Sequence, residues 1–410
     1  MGVSGFVGVI SFHEGWDVSK ILRYALPALR HRGNDTAWVA LLSNDNKFII
    51  REVREDGNIP SGWAGLLCLY TNEASRGFIK CGNTDIAYCI EGIVVDPTEV
   101  CRLVTGDSKT LAYTSLIALT SDGELIAYRP ITGLRNLVLG AYGFDLAIIS
   151  NESSTINALG GEVRLFVSLG TIVRASRLNL SVSRVAGNFR GKRCIMEFIY
   201  LSRLDSEIDG YSVYEFRRAL ARRLALRLAN KIDADVVIGM PETGIIYGIK
   251  VAEIMGKTFE YALLNIERHR SALREDILDK ISSVHLKLSP VINVIKGKRV
   301  LLVDDSLLTG ISIKEASQVL RHRAGAREVH VAIASPRIVR SCPYGIDMPP
   351  DNQLLANAFS NYADAQRVLE VDSLTWSDLN DLYAAADESG IGRDSLCTYC
   401  LVGDKRELDL

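Results

Sequence analysis

Apolar residues fall into two rhythms along the 410 residues. Up to about residue 185 they come in short runs separated by Gly, Asn and Asp. The runs Glu124 to Tyr128, Leu137 to Gly140 and Leu146 to Ile149 alternate or are wholly apolar, which predicts antiparallel strands in layered sheets. One helical stripe interrupts them. Ile21, Leu22, Tyr24, Ala25 and Leu29 share a face of a helix over roughly Val18 to Leu29. From about Asn188 the rhythm changes. Val213, Phe216, Leu220, Leu224 and Leu228 recur at helical spacing, and short buried strands are predicted at Asp235–Gly239, Thr258–Leu264, Val300–Val303 and Glu328–Ile333. Strands alternating with helices predict a parallel sheet. Residues 265–295 form a charged, weakly periodic insertion.

The stretch KRVLLVDDSLLTGIS, Lys298 to Ser312, concentrates the candidate chemistry. A short apolar strand runs into the carboxylates Asp304 and Asp305. A small-residue loop follows, then a helix whose Ile313, Ala316, Ser317 and Leu320 fall on one face, with Gly325 as its stop. Backbone N–H groups of such a loop and helix start can hold a phosphate. The paired carboxylates can accept hydrogen bonds from vicinal hydroxyls or hold magnesium. Ligands of open α/β sheets bind at the carboxyl ends of the strands, where this loop lies. An acidic pair after an apolar strand also occurs at many strand ends with no ligand, and in receiver domains, where it lies near the domain start. Here the pair comes after several strand–helix units. A second strand-to-helix turn, Met240 to Gly244 (MPETG), adds a proline that sets the turn and a Thr243 hydroxyl that can face a ligand.

Composition narrows the picture. The chain is long enough for two domains, each with its own core. A net charge of −2 gives no electrostatic case for nucleic acid or an anionic membrane surface. No run reaches transmembrane length and no signal-peptide pattern opens the sequence, so the expected place is the cytoplasm. The eight cysteines are then expected to be thiols or metal ligands rather than disulfides. By itself, the Cys397–Cys400 CxxC fits zinc, redox chemistry or chance.

VLLVDDSLLTGIS resembles the phosphoribosyl pyrophosphate (PRPP) motif of type I phosphoribosyltransferases. The following VHVAIASPRIVRSCPYGIDMP is similar to the amidophosphoribosyltransferase family within that group. GFVGVISF, LRHRGNDTAW and IAYRPITGLRNLVLG resemble that family's N-terminal-nucleophile (Ntn) glutaminase domain. The resemblance implies a layered αββα Ntn-hydrolase-like domain over residues 1–185. A parallel-sheet phosphoribosyltransferase domain with a cluster-binding tail follows over 186–410. It implies PRPP held at the ribose by Asp304 and Asp305, and at the 5′-phosphate by Ser306, Thr309, Gly310, Ile311 and Ser312. Pro241, Glu242, Thr243 and Gly244 are implied at the pyrophosphate, with Mg2+ on Thr243, Asp304 and Asp305. Cys194, Cys342, Cys397 and Cys400 coincide with the ligands of family members that carry a 4Fe–4S cluster, zinc at the same thiolates being the alternative.

Several family parts are changed. The nucleophilic cysteine is replaced by Ser4, behind three extra residues. The arginine that grips the glutamine carboxylate is Leu69, and the oxyanion-hole asparagine is Glu91. A carboxylate there repels a developing oxyanion. Asp107 is the remaining candidate glutamine contact, and His31–Arg32–Gly33 is expected to be structural. Cys68, Cys81, Cys89 and Cys101 are expected to be small buried hydrophobes. Thr309 stands where the family has arginine. The lid segment reads NIERHRSAL, keeping Arg268 and Arg270 but not the aromatic and glycine, while Lys287 to Ser289 is retained. The expected function is formation of 5-phosphoribosylamine from PRPP and ammonia, with glutamine hydrolysis lost. A non-catalytic PRPP or nucleotide sensor, or a regulatory subunit of an active homologue, is the alternative. A different amine acceptor also stays open. Expected partners are PRPP, ammonia and a nucleotide effector, in a homo-oligomer or a hetero-oligomer with an active homologue.

Overall fold

The computed structural model describes residues 4–403 apart from 14, 34–35, 55–56, 108–110, 186, 267–287 and 360. Arg268, Arg270 and Lys287 lie outside the described residues.

The N-terminal half contains β1 (Ser4–Ser11), β2 (Thr36–Leu42), β3 (Phe48–Arg54), β4 (Ala64–Tyr70), β5 (Arg76–Cys81), β6 (Thr84–Gly92) and β7 (Thr114–Thr120). It continues with β8 (Leu125–Arg129), β9 (Val138–Tyr142), β10 (Leu146–Ser150), β11 (Glu162–Phe166), β12 (Thr171–Ala175) and β13 (Leu180–Arg184). Two antiparallel sheets result, ordered β11-β9-β10-β1-β4-β2-β3 and β13-β12-β8-β7-β6-β5. Every residue of β1 is buried because both its faces are covered. Phe6 and Ile10 pack on Ile117 and Leu125 of the other sheet. Val7 and Val9 pack beneath α1 (Ser19–Leu29) through Leu22, Ala25 and Leu29. On the far side, α2 (Pro97–Thr105) covers the second sheet through Val100 and Leu103. Its limits follow from local chemistry: Asp96 caps the Thr98 amide, Pro97 opens the first turn, and Gly106 ends it at φ +89°. A third helix, α3 (Ser153–Ala158), joins the α1 layer through Ile156.

The layers are cross-linked, which corrects the expectation of free thiols. Cys68 on β4 is bonded to Cys89 on β6, with Cα atoms 6.1 Å apart, joining the two sheets. Cys81 at the end of β5 is bonded to Cys101 in α2, with Cα atoms 5.8 Å apart. All but Cys101 are buried, as expected, but stacking places each beside a partner that sequence spacing does not reveal.

The second half contains β14 (Arg193–Cys194), β15 (Glu207–Ile208), β16 (Tyr211–Ser212), α4 (Val213–Leu228), β17 (Val236–Gly239) and α5 (Gly244–Met255). Beyond them are β18 (Thr258–Phe259), β19 (Leu263–Asn265), β20 (Leu288–Pro290), β21 (Arg299–Asp304), α6 (Ile311–Gln318), β22 (Glu328–Ile333), β23 (Ser373–Trp376) and β24 (Leu396–Cys397). A parallel sheet runs β18-β17-β21-β22-β23. The strand predicted over Thr258–Leu264 is split. Only β18 stays in this sheet; beyond the exposed Tyr261, β19 pairs antiparallel with β20. The helix after Ser312 widens into a π-turn over Val319–Arg323 before Gly325.

Candidate functional site

The carboxyl ends of β17 and β21 open into a cleft of about 300 Å³. Met240, Pro241 and Thr243 form one wall, and Asp304 to Ile313 form the other. Thus Asp304, Asp305, Ser306, Thr309, Gly310, Ile311, Ser312, Pro241 and Thr243 are brought together as the sequence implied. Glu242 and Gly244 are not among the lining residues. Glu242 points to solvent, and Gly244 is buried under Val303 and Asp304, where a Cβ would sit 2.6 Å from the Val303 oxygen. Its lack of a side chain lets α5 start against the strand. Gly310, at φ +84°, turns the loop into α6. The first helical hydrogen bond described there runs from the Lys314 amide to the Gly310 oxygen, so the preceding N–H groups at the helix start are available to an anion.

The acidic pair lies in the wall of this cleft. Asp304 is buried and Asp305 half-buried. Asp304 Oδ1 accepts the Asp305 amide at 2.8 Å, and Asp305 Oδ1 accepts the Ser306 hydroxyl at 2.5 Å. Burial, and then the neighbouring Asp305, push Asp304 well above the ordinary carboxylate range. Burial pushes Asp305 up to about 6, against the opposing Ser306 hydroxyl and Arg217 charge. Sequence reasoning missed Arg217, which is buried behind the site. It donates from Nε to the Phe198 oxygen at 2.9 Å and from Nη2 to the Ser202 oxygen at 2.7 Å.

The four remaining cysteines line a separate cavity. Cys194 on β14 is the direct parallel partner of Cys397 on β24. The Cys400 oxygen accepts the Val339 and Arg340 amides, tying the loop that leads to Cys342 against the C-terminal turn. Leu134, Arg135, Met196 and Tyr344 complete the walls. Arg135 is buried, donates from Nη2 to the Tyr344 oxygen at 2.7 Å, and has no hydrogen-bond partner for Nε among the described residues. Burial lowers the Arg135 pKa, but Glu91, Cys194, Glu197 and Cys342 together hold it above its ordinary value. Among the described residues no three His, Cys, Asp or Glu side chains converge as a site for one ion.

The comparisons with known proteins agree with this layout. The phosphoribosyl transferase domain family matches residues 213–340. An Archaeoglobus fulgidus amidophosphoribosyltransferase is 30% identical over 382 residues, covering 90% of this chain and 81% of its own length. The chain belongs to the amidophosphoribosyltransferase family. Amidophosphoribosyltransferase 1 of Arabidopsis thaliana is 32% identical, with 92% of this chain and 66% of that protein aligned. The solved glutamine PRPP amidotransferase of Bacillus subtilis, complexed with ADP and GMP, superposes with a TM-score of 0.80. It is 24% identical and covers 98% of this chain and 96% of that one. The fold is an Ntn-type domain followed by a type I phosphoribosyltransferase domain.

Around Ser4, Arg32 and Glu91 the N-terminal half holds a buried charge network. Ser4 is buried in β1, and its Oγ has no hydrogen-bond partner among the described residues. Glu91 and Arg32 are 2% exposed each and pair at 2.9 Å. Asn151 Nδ2 bridges the Ser4 oxygen at 2.7 Å and Glu91 Oε2 at 2.8 Å. Arg32 also donates from Nε to Glu152 at 2.7 Å and from Nη2 to Glu197 at 2.6 Å. Burial pulls Arg32 down, yet Glu197, Glu152 and Glu91 hold it well above its ordinary value. Glu152 stays well below the usual carboxylate range because Arg32 and His31 outweigh its burial. Burial of Glu91 outweighs Arg32 and Arg135 and raises it. Leu69 is fully buried in β4. Asp107 lies on the surface and accepts the Thr105 hydroxyl at 3.1 Å. Arg32 is therefore structural, as expected, but its role links the halves: Glu197, Ser202 and Ser206, all beyond β13, share the network through Arg32 and Glu152. No helix among the described residues is long and apolar enough to cross a membrane.

Proposed function

We propose that the chain forms 5-phosphoribosylamine from PRPP with ammonia as the nitrogen donor, and that it no longer hydrolyses glutamine. One contrast carries this reading. The PRPP cleft keeps its acidic pair and phosphate loop, while Glu91, paired with Arg32, stands where a glutamine amide would need an oxyanion donor. Asp304 and Asp305 accept hydrogen bonds from the ribose hydroxyls. The amides opening α6, with the Thr309 and Ser312 hydroxyls, hold the 5′-phosphate. Pro241 and Thr243 border the pyrophosphate. As ammonia bonds to C1, the C1–oxygen bond breaks and its electron pair leaves with pyrophosphate; the surplus proton passes to solvent. Two carboxylates and a threonine suit magnesium, which commonly completes its shell with substrate oxygens and water. When bound, magnesium supplies neutralisation of the leaving pyrophosphate.

A 4Fe–4S cluster is the group we assign to the cysteine cavity. Four buried or half-buried thiols share one cavity. One zinc would draw all four sulfurs to about 2.3 Å from itself, whereas a cluster gives each thiolate its own iron. Arg135 supplies a buried positive charge and a free Nε for the anionic cluster. When bound, the cluster supplies metal–thiolate bonds joining β14, β24 and the Cys342 loop.

The test is pyrophosphate release from PRPP and magnesium by anaerobically purified protein, with ammonium, with glutamine, and with neither. Release with ammonium alone is the expected result. Release with glutamine contradicts the assignment of Ser4, Leu69 and Glu91. PRPP binding with no release in any arm favours a sensor or a subunit of an active homologue, for which Thr309 in place of the family arginine is the motivating feature.

A further inference from the structure

A third cavity, of about 380 Å³, opens where the two halves of the chain meet. Arg129, Phe166 and Arg184, at the ends of β8, β11 and β13, form part of its wall. Lys192 and Arg193, entering β14, and Asp209, in the β15–β16 turn, form the rest of the charged lining. Four cations thus face a single carboxylate. That carboxylate is already engaged. Asp209 accepts from Arg129 Nη1 at 2.5 Å and Nη2 at 3.1 Å, and from Arg193 Nε at 2.7 Å. Arg129 is fixed further by donating from Nε to the Arg135 oxygen and from Nη1 to the Val167 oxygen. Lys192 and Arg184 have no ion-pair partner among the described residues; the described contact of the Arg184 guanidinium is the Phe189 ring, 5.9 Å away. Arg193 lies 4.9 Å over the Tyr211 ring and keeps its two terminal nitrogens beyond the Asp209 contact. Like charges lining one concavity focus a positive potential that attracts an anion.

We propose that this junction cavity is a second anion site, which takes a small phosphorylated compound carrying at least two negative charges. The three cations other than Arg129 supply the contacts, and the Phe166 ring gives an apolar wall for the rest of the ligand. The site reaches the C-terminal segment directly: Arg193 and Cys194 form β14, which pairs with Leu396 and Cys397. A ligand here braces the strand pair that carries two of the four cavity thiols, Cys194 on β14 and Cys397 on β24.

Calorimetric titration of the anaerobic full-length protein with inorganic pyrophosphate in EDTA tests this, because the PRPP cleft is read as holding pyrophosphate with magnesium. The wild type is expected to bind. An Arg184→Gln/Lys192→Gln double variant should bind about 100-fold more weakly, roughly tenfold per charged contact. It should keep its ammonium-dependent pyrophosphate release. Ser312→Glu, which repels phosphate from the PRPP cleft, should leave this binding unchanged. No binding by the wild type overturns the proposal. So does binding lost in Ser312→Glu and kept in the double variant, which would place the anion in the PRPP cleft. A direct check avoids variants altogether. Pyrophosphate should slow acylation of Lys192 in the wild type, read by peptide mass, and unchanged acylation counts against the site.

Discussion

Replacing Asp305 by asparagine is expected to make the unliganded protein more stable at neutral pH while abolishing PRPP binding. Burial raises the Asp305 carboxyl from its ordinary 3.8 to about 6. One pK unit corresponds to about 1.4 kcal/mol, so ionising this group in the folded protein costs about 3 kcal/mol. Because the residue is only half-buried, solvent screening reduces that to roughly 1–2 kcal/mol. The sign follows from linkage. The folded state binds the proton more tightly than the unfolded chain, so the penalty is absent below about pH 4. It grows between about pH 4 and 6 and stays constant above. Asparagine keeps an oxygen to accept the Ser306 hydroxyl and removes the charge. Unfolding of ligand-free wild type and Asp305→Asn should therefore differ more at pH 7.5 than at pH 4.5, with the variant the more stable at the higher pH. Wild-type affinity for PRPP with magnesium should also fall as pH drops below about 6, because protons compete for the same carboxylate. An Asp305→Asn variant that is less stable at pH 7.5, or that gains equally at both pH values, refutes the reasoning.

Arg32→Met strips the partner from three buried carboxylates, Glu91, Glu152 and Glu197, and should cost about 3–5 kcal/mol in denaturant unfolding; a loss below about 1 kcal/mol contradicts the network's role. Alkylation of denatured, chelator-treated protein should modify only Cys194, Cys342, Cys397 and Cys400 without reductant and all eight cysteines with it. Modification of all eight without reductant removes the cross-links from the account. Those cross-links close sequence separations of 21 and 20 residues, so reducing each should lower stability by about 3 kcal/mol in the chain-entropy picture. Anaerobic wild type should contain about four irons per chain and show broad visible absorption that Cys397→Ser loses; stoichiometric zinc with no iron would reverse the cluster assignment.

The features legible in the sequence were local ones. Val300 to Val303 followed by Asp304 and Asp305 is a strand running straight into a cleft-lining loop, and Met240 to Thr243 repeats that plan one strand away. The sequence also singled out the cysteines at 194, 342, 397 and 400 as a set, and the structure lines one cavity with all four. What escaped depends on contacts between distant segments. Cys68 and Cys89 lie on strands of different sheets, and only stacking brings them together. Arg32 meets Glu91, Glu152 and Glu197 from separations of 59, 120 and 165 residues. Arg217 looks like one more charge on a helix stripe, yet it is buried and supports the backbone behind Asp305. The single strand expected over Thr258–Leu264 failed because apolar content does not show where a chain leaves its sheet.

The most direct measurement follows the nitrogen itself. Anaerobic protein with PRPP and magnesium is supplied with 15N-ammonium and amide-14N glutamine together, and the phosphoribosylamine is trapped and weighed. Product carrying 15N, with no glutamate formed, is the predicted result. Product carrying 14N with matching glutamate would show a working amide-hydrolysis site around Ser4 and contradict the account.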